Sequence, residues 1–249
     1  MNRRNFAFSA IALFAMAFTP LSACKKDGGG AGASSDMLSH LPKDSSVVVG
    51  ISWSKARDSA LFKKYQDKMI DDELAEVKEK CGIDPLTDLN GAVIALGADI
   101  QDEDKVVIAI NGKFDQKKVE ECVGKMGGKV EGSVYNDDSG DPMNAYWPAS
   151  NTLLISKGLS DDQMKAAACL NDKKELMDLV GKTDSSATLW VAGTVPADMA
   201  AMAGGLGGAP PKAGYISVNV DSGLDAKVGL VFASEDEAKS MSTMLDGVM

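Results

Sequence analysis

Histidine is almost absent from this chain, since His40 is the only one among 249 residues. A zinc site or a Ser-His-Asp triad depends on histidine together with suitable neighbours, and the residues around His40 do not form such a set. We therefore interpret His40 as a residue beside a linker. No other catalytic, cofactor-binding or metal-binding pattern stands out, so we expect neither an enzyme nor a bound cofactor or metal.

Positive charge is also scarce. The chain has 26 Lys and Arg against 36 Asp and Glu, and its formal net charge is −10. Such acidity opposes binding to nucleic acid and to anionic lipid headgroups. We therefore expect no nucleic-acid partner and a soluble, monomeric domain that does not lie flat on a lipid surface.

Two kinds of polar loop resemble ligand sites but lack their defining residues. The segment Asn136–Asp141 gathers carboxylates, yet the spacing and the distal glutamate of an EF-hand are missing, as they are at Asp99–Asp104. The glycine-rich segment Gly204–Pro211 lacks the lysine and Ser/Thr that end a P-loop. We interpret all three as turns or flexible loops.

No apolar run is long enough to span a bilayer as a helix. The longest, Phe6–Phe18, has 13 residues, follows Arg3 and Arg4, and ends at Thr19-Pro20. A spanning helix needs about 20 apolar residues, whereas this length and these flanks are typical of a signal-peptide core.

The next residues, Leu21-Ser22-Ala23-Cys24, resemble the lipobox of bacterial lipoproteins. The resemblance implies a signal peptide over residues 1–23 and acyl chains such as palmitate on Cys24, which would anchor the chain in a membrane. Two acyl chains suffice for stable anchoring at about 0.8 kcal/mol per buried CH₂. Because Lys25 replaces the aspartate that retains such proteins in the inner membrane, the resemblance favours the outer membrane, facing the periplasm.

Residues 24–36 are rich in Gly, Ala, Ser and Lys, so we predict a flexible tether before a single domain over residues 37–249. Export would place Cys81, Cys122 and Cys169 in an oxidising compartment, where a disulfide is expected. Three pairings are open. Because Cys81 ends a predicted helix and Cys122 lies within the next long one, we favour Cys81–Cys122, with Cys169 as the spare thiol.

Hydrophobic periodicity predicts an α+β fold, with a mixed, mostly antiparallel sheet and helices on one face. The predicted strands are residues 47–52, 92–96, 105–110, 130–135, 143–147, 152–156, 188–195, 215–220 and 226–232. The predicted helices run from residue 54, over 71–80, 116–126, from 161, and over 175–180, 196–203 and 234–245. Asp84, Asp115 and Ser160 are predicted as helix caps.

A β-α-β-β-α order occurs twice, in the halves 41–130 and 185–249, which a β-meander and a helix join. The apolar strand, acidic cap and helix of Lys105–Met126 align with those of Lys227–Met244. We interpret this as an internal duplication.

Three segments, LPKDSSVVVG at 41–50, CGIDPLTDL at 81–89 and FDQKKVEECV at 114–123, resemble a group of uncharacterised exported lipoproteins from deltaproteobacteria-like bacteria. The resemblance supports the Cys81–Cys122 pairing and implies no activity.

These observations favour a membrane-anchored envelope lipoprotein that acts as a non-enzymatic interaction or structural module. The alternative is a periplasmic carrier or binding protein for a hydrophobic ligand. Its cavity would lie between sheet and helices near Met199, Met202 and Trp190, because methionine forms adaptable apolar surfaces.

The lipobox hypothesis can be tested by Cys24→Ala. Because Cys24 carries the only membrane signal in the sequence, we expect this substitution to abolish metabolic labelling with palmitate and to release the protein from the membrane fraction. Labelling that persists in the variant would show that the acyl chains are attached elsewhere.

Overall fold

The protein is built around one sheet. The computed structural model describes residues 33–69, 72–98, 103–136, 142–195, 200 and 209–246. Its strands are Val47–Ile51 (β1), Leu89–Leu96 (β2), Val107–Gly112 (β3), Lys129–Glu131 (β4), Val134–Asn136 (β5), Pro142–Ala149 (β6), Thr152–Ser156 (β7), Leu189–Thr194 (β8), Ala213–Val220 (β9) and Leu224–Val231 (β10).

Helices flank this sheet. They are Ala33–Leu38 (α1), Trp53–Asp58 (α2), Ala60–Met69 (α3), Asp72–Cys81 (α4), Pro85–Asp88 (α5), Gln116–Lys125 (α6), Asp161–Ala167 (α7), Lys174–Val180 (α8) and Glu235–Asp246 (α9). The predicted α+β class is therefore confirmed. The helix predicted over residues 196–203 lies outside the described residues, apart from Ala200.

The strand order is β10-β9-β8-β1-β2-β3-β7-β6-β5-β4, and every described strand pair is antiparallel. Two three-stranded units, β1-β2-β3 and β8-β9-β10, meet where β1 pairs with β8, from Val47 opposite Gly193 to Ile51 opposite Leu189. The β-β-β order of one unit is thus repeated in the other on the opposite side of this central pair.

One face of the sheet, here called the first face, carries the main core. Val48, Val93 and Val107 lie on neighbouring strands and have 0% of their surface exposed. Helices α1, α7 and α8 cover them with Met37, Met164, Leu176 and other apolar side chains. Complete burial of an aliphatic side chain of this size stabilises the fold by about 1.5–3 kcal/mol, so this face dominates stability.

A second, smaller core lies on the opposite face, here called the second face. Adjacent strand residues point to opposite faces, so Leu153 of β7 belongs to this core while Leu154 belongs to the first. Helix α6 supplies Val119 and Val123 to it, and Phe114 meets Trp147 edge-on at 6.1 Å between ring centroids. The sequence placed all helices on one face, whereas the structure divides them between both.

The predicted strand over residues 130–135 is two strands. Gly132 has a φ of +64°, a conformation that glycine adopts without strain, and it forms a two-residue turn with Ser133 between β4 and β5. The expected three-stranded meander therefore has four strands, β4 to β7. The sequence contained a signal for this break, because Gly132-Ser133 between two short apolar runs is typical of a β-hairpin turn.

The three predicted caps are all present. The Asp84 carboxylate accepts a hydrogen bond from the Leu86 amide, and the Asp115 carboxylate accepts one from the Lys118 amide. Ser160 and Gln163 form a reciprocal capping box at the start of α7. Local hydrogen bonding of short polar side chains therefore sets these helix starts, which explains why they were predictable.

Helix α1 was not predicted, and its first residues fall in the segment interpreted as tether. Met37 and Leu38 bury 99% and 97% of their surface in the first-face core. No helix in the described part of the chain is long and apolar enough to cross a bilayer.

The predicted Cys81–Cys122 disulfide is present, with a Cα–Cα distance of 4.8 Å. It joins the end of α4 to α6, so the helix that covers the second face is covalently fixed to the helices after β1. The sequence separation is 41 residues, for which the chain-entropy model gives a stabilisation of about 4 kcal/mol.

Replacing Cys81 and Cys122 together by serine should lower the free energy of unfolding by about that amount, about 4 kcal/mol, in urea titrations. Each single substitution already removes the bond, so each single variant should lose nearly as much as the double variant. If the two single variants instead each lost only part of this free energy, and their losses added up to that of the double variant, the cysteines would contribute independently of the bond.

Candidate interaction surface

Trp190, one residue of the hydrophobic-ligand hypothesis, lies deep in the core. Its surface is 1% exposed, and it pairs across the central strands with Gly50. A Cβ atom added to Gly50 would lie 2.0 Å from the indole Cε2 atom, which shows how closely the ring packs on the β1 backbone. A ligand would therefore reach this indole only if the core opened.

The other two residues of that hypothesis, Met199 and Met202, lie outside the described residues, as does Cys24. Residues 204–208 of the glycine-rich segment lie outside as well, together with residues 99–102 and 137–141 of the acidic loops. Their predicted roles therefore stay predictions.

An open cavity of about 390 Å³ lies at one end of the sheet, where Pro42, Ser45, Gly97, Lys105 and Leu159 are among its lining residues. Trp190 lines neither this cavity nor a second one. The lining mixes backbone, a lysine and small side chains, which does not resemble the enclosed apolar site of a carrier.

The second cavity, of about 320 Å³, contains a polar network. The Trp147 indole donates to the Tyr135 hydroxyl at 3.2 Å, and that hydroxyl donates to the Glu120 carboxylate at 3.1 Å. Burial raises the pKa of Tyr135 above its usual value, so the phenol stays protonated at neutral pH. A neutral phenol held by two partners orients side chains, and it is a poor nucleophile.

His40 follows helix α1 and is half-buried. Burial lowers its pKa, while the nearby Asp36 carboxylate acts in the opposite direction. In the described part of the chain, no group of three or more His, Cys, Asp or Glu side chains is placed to hold a metal ion. His40 thus packs at the edge of the folded domain.

Cys169 is not a spare thiol. It is disulfide-bonded, and no cysteine of the described residues is free. The prediction of a leftover thiol at Cys169 is therefore wrong.

Large aliphatic side chains are exposed on the second face at β9 and β10. Leu224, Val228 and Leu230 have 73%, 60% and 48% of their surface exposed, and Ile216, opposite Val228, has 37%. Together with Ala226 they form a contiguous apolar surface, here called the open row. Contiguous exposed apolar patches on soluble proteins mark interaction sites, whereas scattered apolar residues do not.

The open row exists because the two three-stranded units are covered differently. In the β1-β2-β3 unit, the helix that follows the third strand is α6, which packs on the second face with Val119 and Val123. The equivalent helix after β10 is α9, and the exposed fractions on β10 show that it does not cover the corresponding positions. None of residues 235–243 of α9 is fully buried.

The first-face side of the same strands is polar near the hairpin, whereas Ala213, Tyr215 and Val231 farther along join the main core. Asp225 and Lys227 alternate with the open row, and the Lys227 ammonium lies 5.9 Å from the centre of the Tyr215 ring. Near the hairpin, strand β10 thus has one apolar side and one charged side. The predicted strand begins at Ala226 and therefore leaves out Leu224, the most exposed member of the open row.

Neither a protein-family model nor a curated protein matches the chain. Among solved structures, it is similar to crystal form I of TP0453, with a TM-score of 0.47 and 8% identity over 86% of this chain and 85% of that one. Crystal form III of TP0453 gives a TM-score of 0.47 and 9% identity over 80% and 81%. A likeness at this TM-score carries no argument about function.

The packing of Trp190 on Gly50 can be tested by Gly50→Ala. Because the added methyl overlaps the indole, we expect the free energy of unfolding to fall by about 1–3 kcal/mol or more. Gly124→Ala in α6 is the matched control. Its Cβ meets no atom within 4 Å, so stability should stay unchanged or rise by about 0.5–1 kcal/mol. Equal stability of the two variants would reveal spare volume beside Trp190, as a ligand cavity requires.

Proposed function

We propose that this chain is a lipid-anchored envelope protein that acts as a non-enzymatic interaction module, with the open row as its contact surface. The observation that carries the proposal is the exposure of Leu224, Val228, Leu230 and Ile216 side by side on one face. Water contact with these side chains is unfavourable, so a partner that covers them gains about 25 cal/mol for each Å² of apolar surface removed from water.

The position of the domain follows from the N-terminal segment. Lipidation of Cys24 would hold the domain at a membrane, and Lys25 favours the outer membrane with the domain facing the periplasm. A lipid thioether and a disulfide both use the cysteine sulfur, so lipidation presupposes that Cys24 is not the disulfide partner of Cys169. Palmitate labelling of the unchanged chain, compared with Cys24→Ala, decides between the two uses.

The absence of enzymatic activity is part of the proposal and rests on the polar clusters. The Tyr135 phenol has a raised pKa and two hydrogen-bonding partners, which suits a structural role. Lys165 is paired with Asp161 at 2.9 Å at the rim of the same cavity. Each of these groups therefore has a partner that holds it in place.

A carrier for a hydrophobic ligand is the second candidate, because the open row is aliphatic and an acyl chain could lie along it. The two cavities favour the carrier less than the interaction module, since both are open and partly polar. The two functions differ in what occupies the row, either a protein or a lipid.

The occupant can be identified by placing a photoreactive amino acid at Val228 of the full, exported chain and irradiating cells. We expect adducts with protein, identified by mass spectrometry, and none from the same amino acid at Lys182. Lys182 is exposed on the turn after α8. An adduct with a lipid or small molecule would replace the interaction module by the carrier, and the absence of any adduct at Val228 would contradict both.

A further inference from the structure

Strand β10 is the last strand of the sheet, and no described element pairs with its outer edge. It has eight residues, whereas β4, at the other end of the sheet, has three. Long, exposed edge strands offer unpaired N–H and C=O groups to another strand, and proteins commonly protect or use them. The open row lies along this edge, so a strand that pairs with β10 would also contact the row.

The hydrogen bonds of the β9–β10 hairpin reveal which amides of β10 point outward. The Asp221 amide donates to the Gly223 carbonyl at 3.1 Å, and the pairing continues without a register shift from Leu224 to Val231. Hydrogen-bonded and non-hydrogen-bonded pairs alternate in an antiparallel ladder. Asp225, Lys227 and Gly229 therefore direct their backbone groups to β9, and Leu224, Ala226 and Val228 direct theirs to the free edge.

We propose that the partner of this edge is a second copy of the chain, paired β10 to β10 in antiparallel orientation about a two-fold axis at Ala226. A two-fold axis requires each strand to be complementary to itself. The outward-pointing residues must then pair with each other, which leaves five central registers, with Asp225, Ala226, Lys227, Val228 or Gly229 on the axis.

Charge selects one of these registers. With Asp225 on the axis, the two Asp225 carboxylates face each other, and with Lys227 on the axis the two ammonium groups do. With Val228 or Gly229 on the axis, Lys227 lies opposite Gly229 or Val231, so neither charge gains a partner. With Ala226 on the axis, each Asp225 lies opposite Lys227 of the second copy. That pair is non-hydrogen-bonded, with Cα atoms about 4.5 Å apart, where opposite charges attract and like charges repel across strands.

The same register completes the apolar side. Leu224 of one copy lies opposite Val228 of the other, and these are the two most exposed members of the open row. Their contact across the axis removes part of both side chains from water on the second face, while the charges pair on the first face. The inference rests on the proposed function in using the same surface, and it names the partner.

The register can be tested by cysteine cross-linking of the full, exported chain in cells. Ala226→Cys places both sulfurs at the axis, where Cα atoms about 5.5 Å apart suit a disulfide, so mild oxidation should give a covalent dimer. Leu224→Cys should give none, because its two copies lie about 13–14 Å apart along the strands. Ala166→Cys, exposed on α7, and the unchanged chain should also give none.

The charge pair is tested in the Ala226→Cys background. Lys227→Asp should lower the dimer yield by about tenfold, because two attractive pairs become repulsive. The double exchange Asp225→Lys with Lys227→Asp should restore the yield. Lys182→Asp makes the same charge change elsewhere and should leave it unaltered.

The proposal fails if Ala226→Cys gives no dimer, if Leu224→Cys cross-links equally well, or if the charge exchange does not restore the yield. A failure here remains distinct from a failure of the proposed function. If Ala226→Cys gives no dimer while the photoreactive residue at Val228 still captures a different protein, the open row is an interaction surface and only its assignment to a second copy is wrong.

Discussion

Strand β1 pairs along its whole length with β2 on one side and β8 on the other, and the rest of the fold depends on this double pairing. It joins two three-stranded units that are far apart in sequence. The Val48 side chain is completely buried on the first face, and Gly50 lets the Trp190 indole lie directly on the backbone. A larger residue at Gly50 would push the two units apart at the point where they meet.

The two units are alike in strand order and unlike in how their second faces are covered. The Cys81–Cys122 bond fixes α6 to α4, and α6 closes the second face over Phe114 and Leu153. No comparable bond or packing holds α9 on β10 in the described part of the chain. The difference in covering, rather than any difference in strand pattern, leaves the open row exposed at one end of the sheet.

The polar groups near the cavities have hydrogen-bonding partners within the fold. The Tyr135 hydroxyl is hydrogen-bonded to both Glu120 and Trp147. Because the pKa of Tyr135 is raised, its phenol stays neutral. Lys55 reaches across the structure to the Ser186 carbonyl and the Asn219 side chain, each at 2.8 Å. These contacts hold loops against the sheet. The open row differs from them, because its aliphatic side chains remain exposed to water.

Local chemistry made much of the fold predictable. The caps at Asp84, Asp115 and Ser160 act within three residues of each helix start, and strand periodicity is set by neighbouring side chains. The Cys81–Cys122 pairing was accessible because the cysteines sit on two helices flanking two strands. The turn at Gly132 and helix α1 were missed. The turn was overlooked although Gly132-Ser133 is a hairpin signal, because residues 130–135 were assigned to one strand. Helix α1 is held chiefly by tertiary burial of Met37 and Leu38.

The open row and Trp190 show most clearly which features could be read from the sequence and which depend on the tertiary fold. The amino-acid sequence by itself determined the alternating pattern of β10, with aliphatic residues on one side and Asp225 and Lys227 on the other, as well as the N-terminal segment that resembles a lipobox. It also contained Trp190, but not its place in the core. Only the tertiary structure decided that Trp190 is buried and that Leu224 and Val228 are exposed. The physical reason is that exposure depends on which distant segments cover a face, and alternation along a strand carries no information about that.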